Sequence, residues 1–228
     1  MAELKSVNTL LKACIFDLDG VLVDTAIYHY EAWKRLANEL GFDFTQEQNE
    51  QLKGISRIDS LEKILGWGNI QIPQALKLEL AGRKNTWYVK MISKMKPDEV
   101  LPGSRELLEA VRASGFKCAL GSASRNSALI LESTSLAPYF DVIVDGNSVK
   151  ASKPDPEVFL KGAALLGIDP KDCIVFEDGI AGVQAALAAG MKVVGIGRPE
   201  VLNMADLVYS GLDKIDLTTL KELLNQEL

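Results

Sequence analysis

Five short apolar runs recur along this chain with helix-forming stretches between them, and that alternation limits the fold more than any other feature. The runs are Ala13-Cys14-Ile15-Phe16, Lys117-Cys118-Ala119-Leu120, Val142-Ile143-Val144, Cys173-Ile174-Val175-Phe176 and Lys192-Val193-Val194-Gly195-Ile196. They are short, near-continuously apolar and rich in β-branched residues, as buried parallel strands are. Residues 104–114, 155–166 and 180–189 carry good helix formers and end near Gly115, Gly167 and Gly190, where helix C-termini favour glycine. Strand, helix, strand repeated in this way predicts an α/β fold with a doubly wound, Rossmann-like parallel sheet.

One segment breaks the pattern. Residues 25–95 read as helical almost throughout, with Trp33, Leu36, Leu40, Ile64, Leu65, Trp87 and Val89 expected on apolar faces, and contain no convincing strand. Pro97 and Pro102 mark the return to the α/β body. The expected organisation is therefore a core of residues 1–24 and 96–228 with an all-helical cap domain, residues 25–95, inserted after the first strand. A chain of 228 residues with 47% hydrophobic and 25% charged side chains can bury such a core without disulfides. Its net charge of −6 argues against nucleic acid as a partner. No apolar run approaches the ~18 residues of a membrane span, and residues 1–11 lack the apolar stretch of a signal peptide. Cys14, Cys118 and Cys173 stand apart from one another and read as buried free thiols, which places the chain in the cytoplasm. With no extended apolar surface in view, a monomer is expected.

The chemistry is concentrated where these runs end. Phe16-Asp17-Leu18-Asp19-Gly20 follows the first run, and residues two apart in an extended chain point the same way. Adjacent carboxylates repel, and one is neutralised unless a cation lies close; a hard divalent ion such as Mg²⁺ meets that need. Taken alone, Asp17 and Asp19 would serve equally as turn or capping carboxylates. Ser122-Ala123-Ser124-Arg125-Asn126 offers hydroxyls, amides and a cation where a strand gives way to a helix, either as a phosphate cradle or as a simple N-cap. Lys153 precedes two prolines that stiffen its loop, although a lysine there is as readily a solvated surface group. Glu177-Asp178 adds carboxylates suited to an oxygen-rich metal site or to capping the next helix.

In this order, Asp17-x-Asp19, Ser122, Lys153 and Glu177-Asp178 resemble the four motifs of the haloacid dehalogenase superfamily of aspartate-nucleophile phosphotransferases. The helical insertion is similar to the cap of that superfamily's first subclass. A closer resemblance, to its sugar-phosphate mutases, covers nearly the whole chain. It is carried by Asp24-Thr25 with His29, Gln51-Leu52-Lys53-Gly54-Ile55-Ser56-Arg57, Arg83-Lys84-Asn85, Ser122-Ala123-Ser124 with Asn126, Ala151-Ser152-Lys153-Pro154 and residues 195–200. Arg125 departs from the Lys of that pattern, and Gly179 replaces a small polar residue after the acidic pair.

The resemblance implies a Mg²⁺-dependent isomerase taking β-D-glucose 1-phosphate to glucose 6-phosphate through β-D-glucose 1,6-bisphosphate. Asp17 would accept phosphorus, and Asp19 would act as general acid and base. Asp17, Asp19 (through its carbonyl), Glu177 and Asp178 would surround the metal. Lys153 and the Ser122 loop would neutralise the phosphoryl oxygens, with Ser124, Arg125 and Asn126 beside them. Arg57 would hold the distal phosphate by paired hydrogen bonds. Lys53 and Gly54 would form the cap's substrate loop; Thr25 would sit at the hinge, His29 beside Asp19, and Lys84 and Trp33 along the cap wall. Without the resemblance, Arg57 reads as a solvated helix residue, His29 as a partly buried one and Trp33 as cap core. A sugar-phosphate phosphatase uses the same scaffold, and a catalytically silent phosphosugar sensor would not need both Asp17 and Asp19. Dehalogenation fits less well, because the third acidic motif serves metal chemistry.

Overall fold

The computed structural model describes residues 12–225; the reading of residues 1–11 as no signal peptide lies outside them. The elements run β1 (Ala13–Phe16), α1 (Ala26–Glu39), α2 (Gln46–Glu50), α3 (Arg57–Trp67), α4 (Gln74–Ile92), α5 (Ser104–Ala113), β2 (Lys117–Gly121), α6 (Ser127–Ser133), β3 (Val142–Val144), α7 (Glu157–Leu166), β4 (Cys173–Glu177), α8 (Ile180–Ala188), β5 (Lys192–Ile196), β6 (Leu207–Tyr209) and α9 (Leu217–Asn225). All six strands are parallel, in the order β3-β2-β1-β4-β5-β6. The expected doubly wound sheet is present. β1 lies at its centre between β2 and β4, and the chain reverses direction across the sheet there, so the carboxyl ends of β1 and β4 face the crevice in which such sheets hold ligands.

Alternation along the strands builds a core on each face. Cys14 and Phe16 of β1 join Ile174 and Phe176 of β4 on one side, with the Phe16 and Phe176 rings stacked at 4.5 Å. Ala13, Ile15, Cys173 and Val175 point to the other side, against Phe159 of α7 and Val183 of α8. All three cysteines are buried and unpaired. β6 escaped the sequence reading because it is a half-buried edge strand of three residues with no continuous apolar run. β3 departs from the expectation of full burial: it is the opposite edge, and Ile143 is exposed. The helix expected from residue 155 starts at Glu157, because the Asp155 carboxylate accepts the Glu157 N–H at 2.9 Å and Pro156 sits at its entrance.

Between β1 and α5 the chain forms only helices, with a third apolar core containing Trp33, Leu36, Phe44, Leu61, Ile64 and Leu65. Leu40 and Trp87 are half-buried against it. On α4 the buried residues are Leu80, Ala81, Lys84, Tyr88 and Ile92; the expected Trp87 packs at the edge of that face, whereas Val89 joins no apolar core. The two connections to this insertion lie side by side: Val23 bridges Val100, and Leu101 N–H donates to Leu22 O at 2.9 Å. Among the described residues, no helix is long and apolar enough to cross a membrane.

Candidate active site

Asp17 continues the pairing of β1, its N–H donating to Phe176 O at 2.9 Å, so its side chain is carried to the strand tip beside those of Glu177 and Asp178. Oxygens of these three buried carboxylates lie within 4.8 Å of one another. Lys153, from the loop before α7, reaches into the group, 2.6 Å from Asp17 Oδ1 and 2.5 Å from Glu177 Oε1. Its ammonium lies 4.7 Å from the centre of the Phe159 ring, and it is buried rather than a solvated surface group. Burial would lower the Lys153 pKa, but the two carboxylates outweigh it and raise it. Burial pushes Asp17 well above the ordinary carboxylate range, with Lys153 opposing and the neighbouring carboxylates adding to the rise. Asp178 is pushed up to about 7, again chiefly by burial.

Glycines make this crowding possible. Gly20 has φ +84, and a Cβ there would overlap the Asp178 carboxylate; one on Gly182 would overlap that of Glu177. Glu177 Oε2 accepts the Gly179 N–H at 2.8 Å. Neither Asp178 oxygen has a hydrogen bond, although the Lys53 ammonium from the helical insertion forms an ion pair 2.9 Å from Oδ2.

The Asp19 side chain is held by residues of the helical insertion. Thr25 Oγ1 donates to its Oδ1 in a short hydrogen bond, and Tyr88 OH donates to the same atom at 3.5 Å. Its carboxylate stands outside the three-carboxylate group. Burial raises its pKa, while the Thr25 hydrogen bond and the Lys153 and Lys84 charges pull against that rise. Behind Tyr88, Lys84 is fully buried with its ammonium over the Trp33 and Tyr88 rings and 2.9 Å from His29 Nδ1. Desolvation and the Lys84 charge hold His29 well below its ordinary pKa, and burial and Arg57 do the same to Lys84.

The loop after β2 closes another wall. Ser122 Oγ accepts the Ser124 N–H at 3.1 Å and Ser124 Oγ accepts the Asn126 N–H at 3.2 Å, so both hydroxyls brace the turn, and neither caps α6, which starts after Asn126. Ser122 is buried beneath that wall, and Ala123, Ser124, Arg125 and Asn126 line it. The cavity, about 530 Å³, is bounded from the helical insertion by Trp33, Lys53, Gly54, Arg57 and Lys84, and from the sheet by Asp17, Asp19, Lys153 and Asp178. Arg57 lies half-buried at its rim, its pKa lowered by burial and by the like charge of Arg125. The insertion is drawn onto the sheet domain by Ser152 Oγ donating to Asp59 Oδ2 at 2.5 Å and Asn126 Nδ2 donating to Asn85 Oδ1 at 2.9 Å. The sequence reading missed Tyr88, although its spacing from Ala81, Lys84 and Ile92 marks one helix face; the charge on Lys84 disguised that face as polar.

A buried carboxylate with no hydrogen bond, beside two others and under a glycine that leaves it room, suits a hard divalent cation bound by oxygen. The fold and these residues together define a class. A model of the haloacid dehalogenase-like hydrolases matches residues 11–190, and the chain belongs to that family. Within it, the chain is 43% identical to the β-phosphoglucomutase of Bacillus subtilis, over 93% of this chain and 95% of that protein. The crystal structure of β-phosphoglucomutase from Clostridium difficile superposes with a TM-score of 0.90 at 40% identity, covering 95% of this chain and 98% of that one. The phosphorylated carbohydrates phosphatase of Thermotoga maritima is 33% identical over 80% of this chain and 83% of its own length.

Proposed function

We propose that this chain isomerises β-D-glucose 1-phosphate and glucose 6-phosphate through an aspartyl-phosphate enzyme and a β-glucose 1,6-bisphosphate intermediate. The observation that carries the reading is one cavity with a nucleophile-bearing acidic centre at one end and two mutually repelling guanidinium groups, Arg57 and Arg125, near its rim. An anion between those guanidinium groups would relieve their repulsion and anchor the phosphate that is not reacting.

Asp17 is the nucleophile, its oxygen forming the bond to phosphorus as the bond to the departing hydroxyl oxygen breaks. Mg²⁺ held by Asp17, Asp178 and the Asp19 carbonyl, with Glu177 nearby, would neutralise charge on the carboxylates and the phosphoryl oxygens. Lys153 places a second positive charge against Asp17, and Ser124, Arg125 and Asn126 line the same cavity with polar side chains. Asp19 gives its carboxyl proton to the departing hydroxyl and takes one from the attacking hydroxyl in the second half-reaction; its raised pKa suits both tasks. Thr25 and Tyr88 fix the Oδ1 through which Asp19 is aimed, and Lys84 with His29 and Trp33 forms the wall beside the sugar.

Residues 25–95 act as a cap that turns on the paired connections near Val23 and Val100 over a core of residues 1–24 and 96–228. Closure excludes water, favouring transfer to sugar over hydrolysis. One chain supplies both walls of the cavity, consistent with a monomer, and three free thiols suit a reducing cytoplasm. The test is incubation with Mg²⁺, β-glucose 1-phosphate and a catalytic amount of its 1,6-bisphosphate, following products by ³¹P NMR. Glucose 6-phosphate should form well ahead of inorganic phosphate. Predominant phosphate release would assign a phosphatase instead, and no turnover of the sugar phosphate would refute the reading.

A further inference from the structure

Lys53 stands where two openings meet. It borders the substrate cavity and also a second cleft of about 790 Å³, which runs past Glu50, Pro154, Gln184 and Arg198 to the same Asp178. Its ammonium is shared between two carboxylates of unlike setting: Asp178 Oδ2 at 2.9 Å, with a side chain 3% exposed, and Glu50 Oε2 at 3.0 Å, with a side chain 55% exposed. Glu50 is one helical turn away on the insertion itself, whereas Asp178 belongs to the sheet domain. The backbone of Lys53 is closely seated, because a Cβ on Gly179 would stand 3.1 Å from Lys53 O, tighter than side chains ordinarily pack. Gly179 is also where this chain departs from the mutase pattern. The backbone is therefore held down while the end of the side chain has an open cleft beside it.

A divalent cation on Asp17, Glu177 and Asp178 would draw on the same carboxylate as this ammonium, and two cations a few ångströms apart repel. We propose that Lys53 is a positioning residue that hands Asp178 over to the cation, retracting into the second cleft onto Glu50 as the metal binds. The insertion thereby senses the metal site through one side chain, and the cleft gives the ion a route that does not cross the sugar cavity. This inference rests on the reading of those three carboxylates as the metal-holding group.

The test is equilibrium binding of Mn²⁺ to the full chain without substrate, by electron paramagnetic resonance and by calorimetry. Lys53→Gln and Lys53→Met should each tighten binding on the order of ten-fold, as expected when one like charge is removed nearby. Glu50→Gln should weaken binding roughly three-fold, since Lys53 then has only Asp178 to hold, and in the Lys53→Gln background that weakening should vanish. Unchanged or weaker Mn²⁺ binding by both Lys53 variants would overturn the handover. So would an equal effect of Glu50→Gln in both backgrounds, which would reduce it to bulk charge. No Mn²⁺ binding by the unaltered protein would instead remove the metal reading beneath it.

Discussion

Replacing Lys153 with Met removes a buried positive charge from among the carboxylates while keeping an unbranched side chain of similar length. With every group ionised, three carboxylates face two ammonium groups there, and Lys153 is the one with no exposed side-chain surface. Removing one member of a buried ion pair strands its partner, at a cost of about 3–5 kcal/mol. For a chain of this size each kcal/mol moves the melting temperature by about 2–4 °C, so Lys153→Met should melt about 6–20 °C lower in excess chelator. A divalent cation replaces the missing charge, so in saturating Mg²⁺ the deficit should shrink to less than half. Differential scanning calorimetry of both proteins in chelator and in Mg²⁺ gives the four values required. A deficit under about 2 °C in chelator, or the same deficit in both buffers, would show that Lys153 does not hold these charges together.

Asp19→Asn should leave Mn²⁺ affinity within about two-fold while steady-state turnover falls by roughly 10²–10⁴-fold, the usual span for a lost general acid–base group. Arg57→Ala should cost sugar-phosphate isomerisation about 10–100-fold, the worth of one charged hydrogen bond, and spare hydrolysis of a small aryl phosphate. His29 is the sole histidine, and its pKa is depressed, so its ring resonances should stay flat in NMR between pH 8 and 6. The sign follows: the unfolded chain takes up that proton first, so the stability His29 contributes is present above about pH 6.5 and declines as pH falls below it, by urea titration. Cys118 and Cys173 are pushed up to about 12 by burial, and Cys14 also rises. A thiol reagent at pH 8 should label none of them over minutes in the native protein and all of them in urea.

The central strands and the helices packed on them were legible because burial on both faces writes itself as uninterrupted apolar residues, as in β1 and β4. β6 was not legible, since an edge strand needs no such run. Asp17, Glu177 and Asp178 could be grouped from their positions at strand ends, whereas Lys153 joined them only through the family resemblance; their mutual distances depend on which strands are neighbours, and no local pattern states that β1 lies between β2 and β4. Tyr88 was hidden for a different reason. Its value comes from facing Asp19, and from the sequence alone α4 offered a lysine in the middle of what is its inward face.

The strand leading to Asp17 precedes both of its sheet neighbours by long stretches of chain. β1 ends at Phe16, yet its neighbours begin at Lys117 and Cys173, and the ammonium that answers Asp17 lies 136 positions away. Contacts so remote in the chain form slowly. During translation the helical insertion emerges long before either flanking strand, and any truncated product that stops short of Glu177 lacks two of the three carboxylates. The acidic centre therefore cannot assemble until β4 and the Asp178 that follows it have been made.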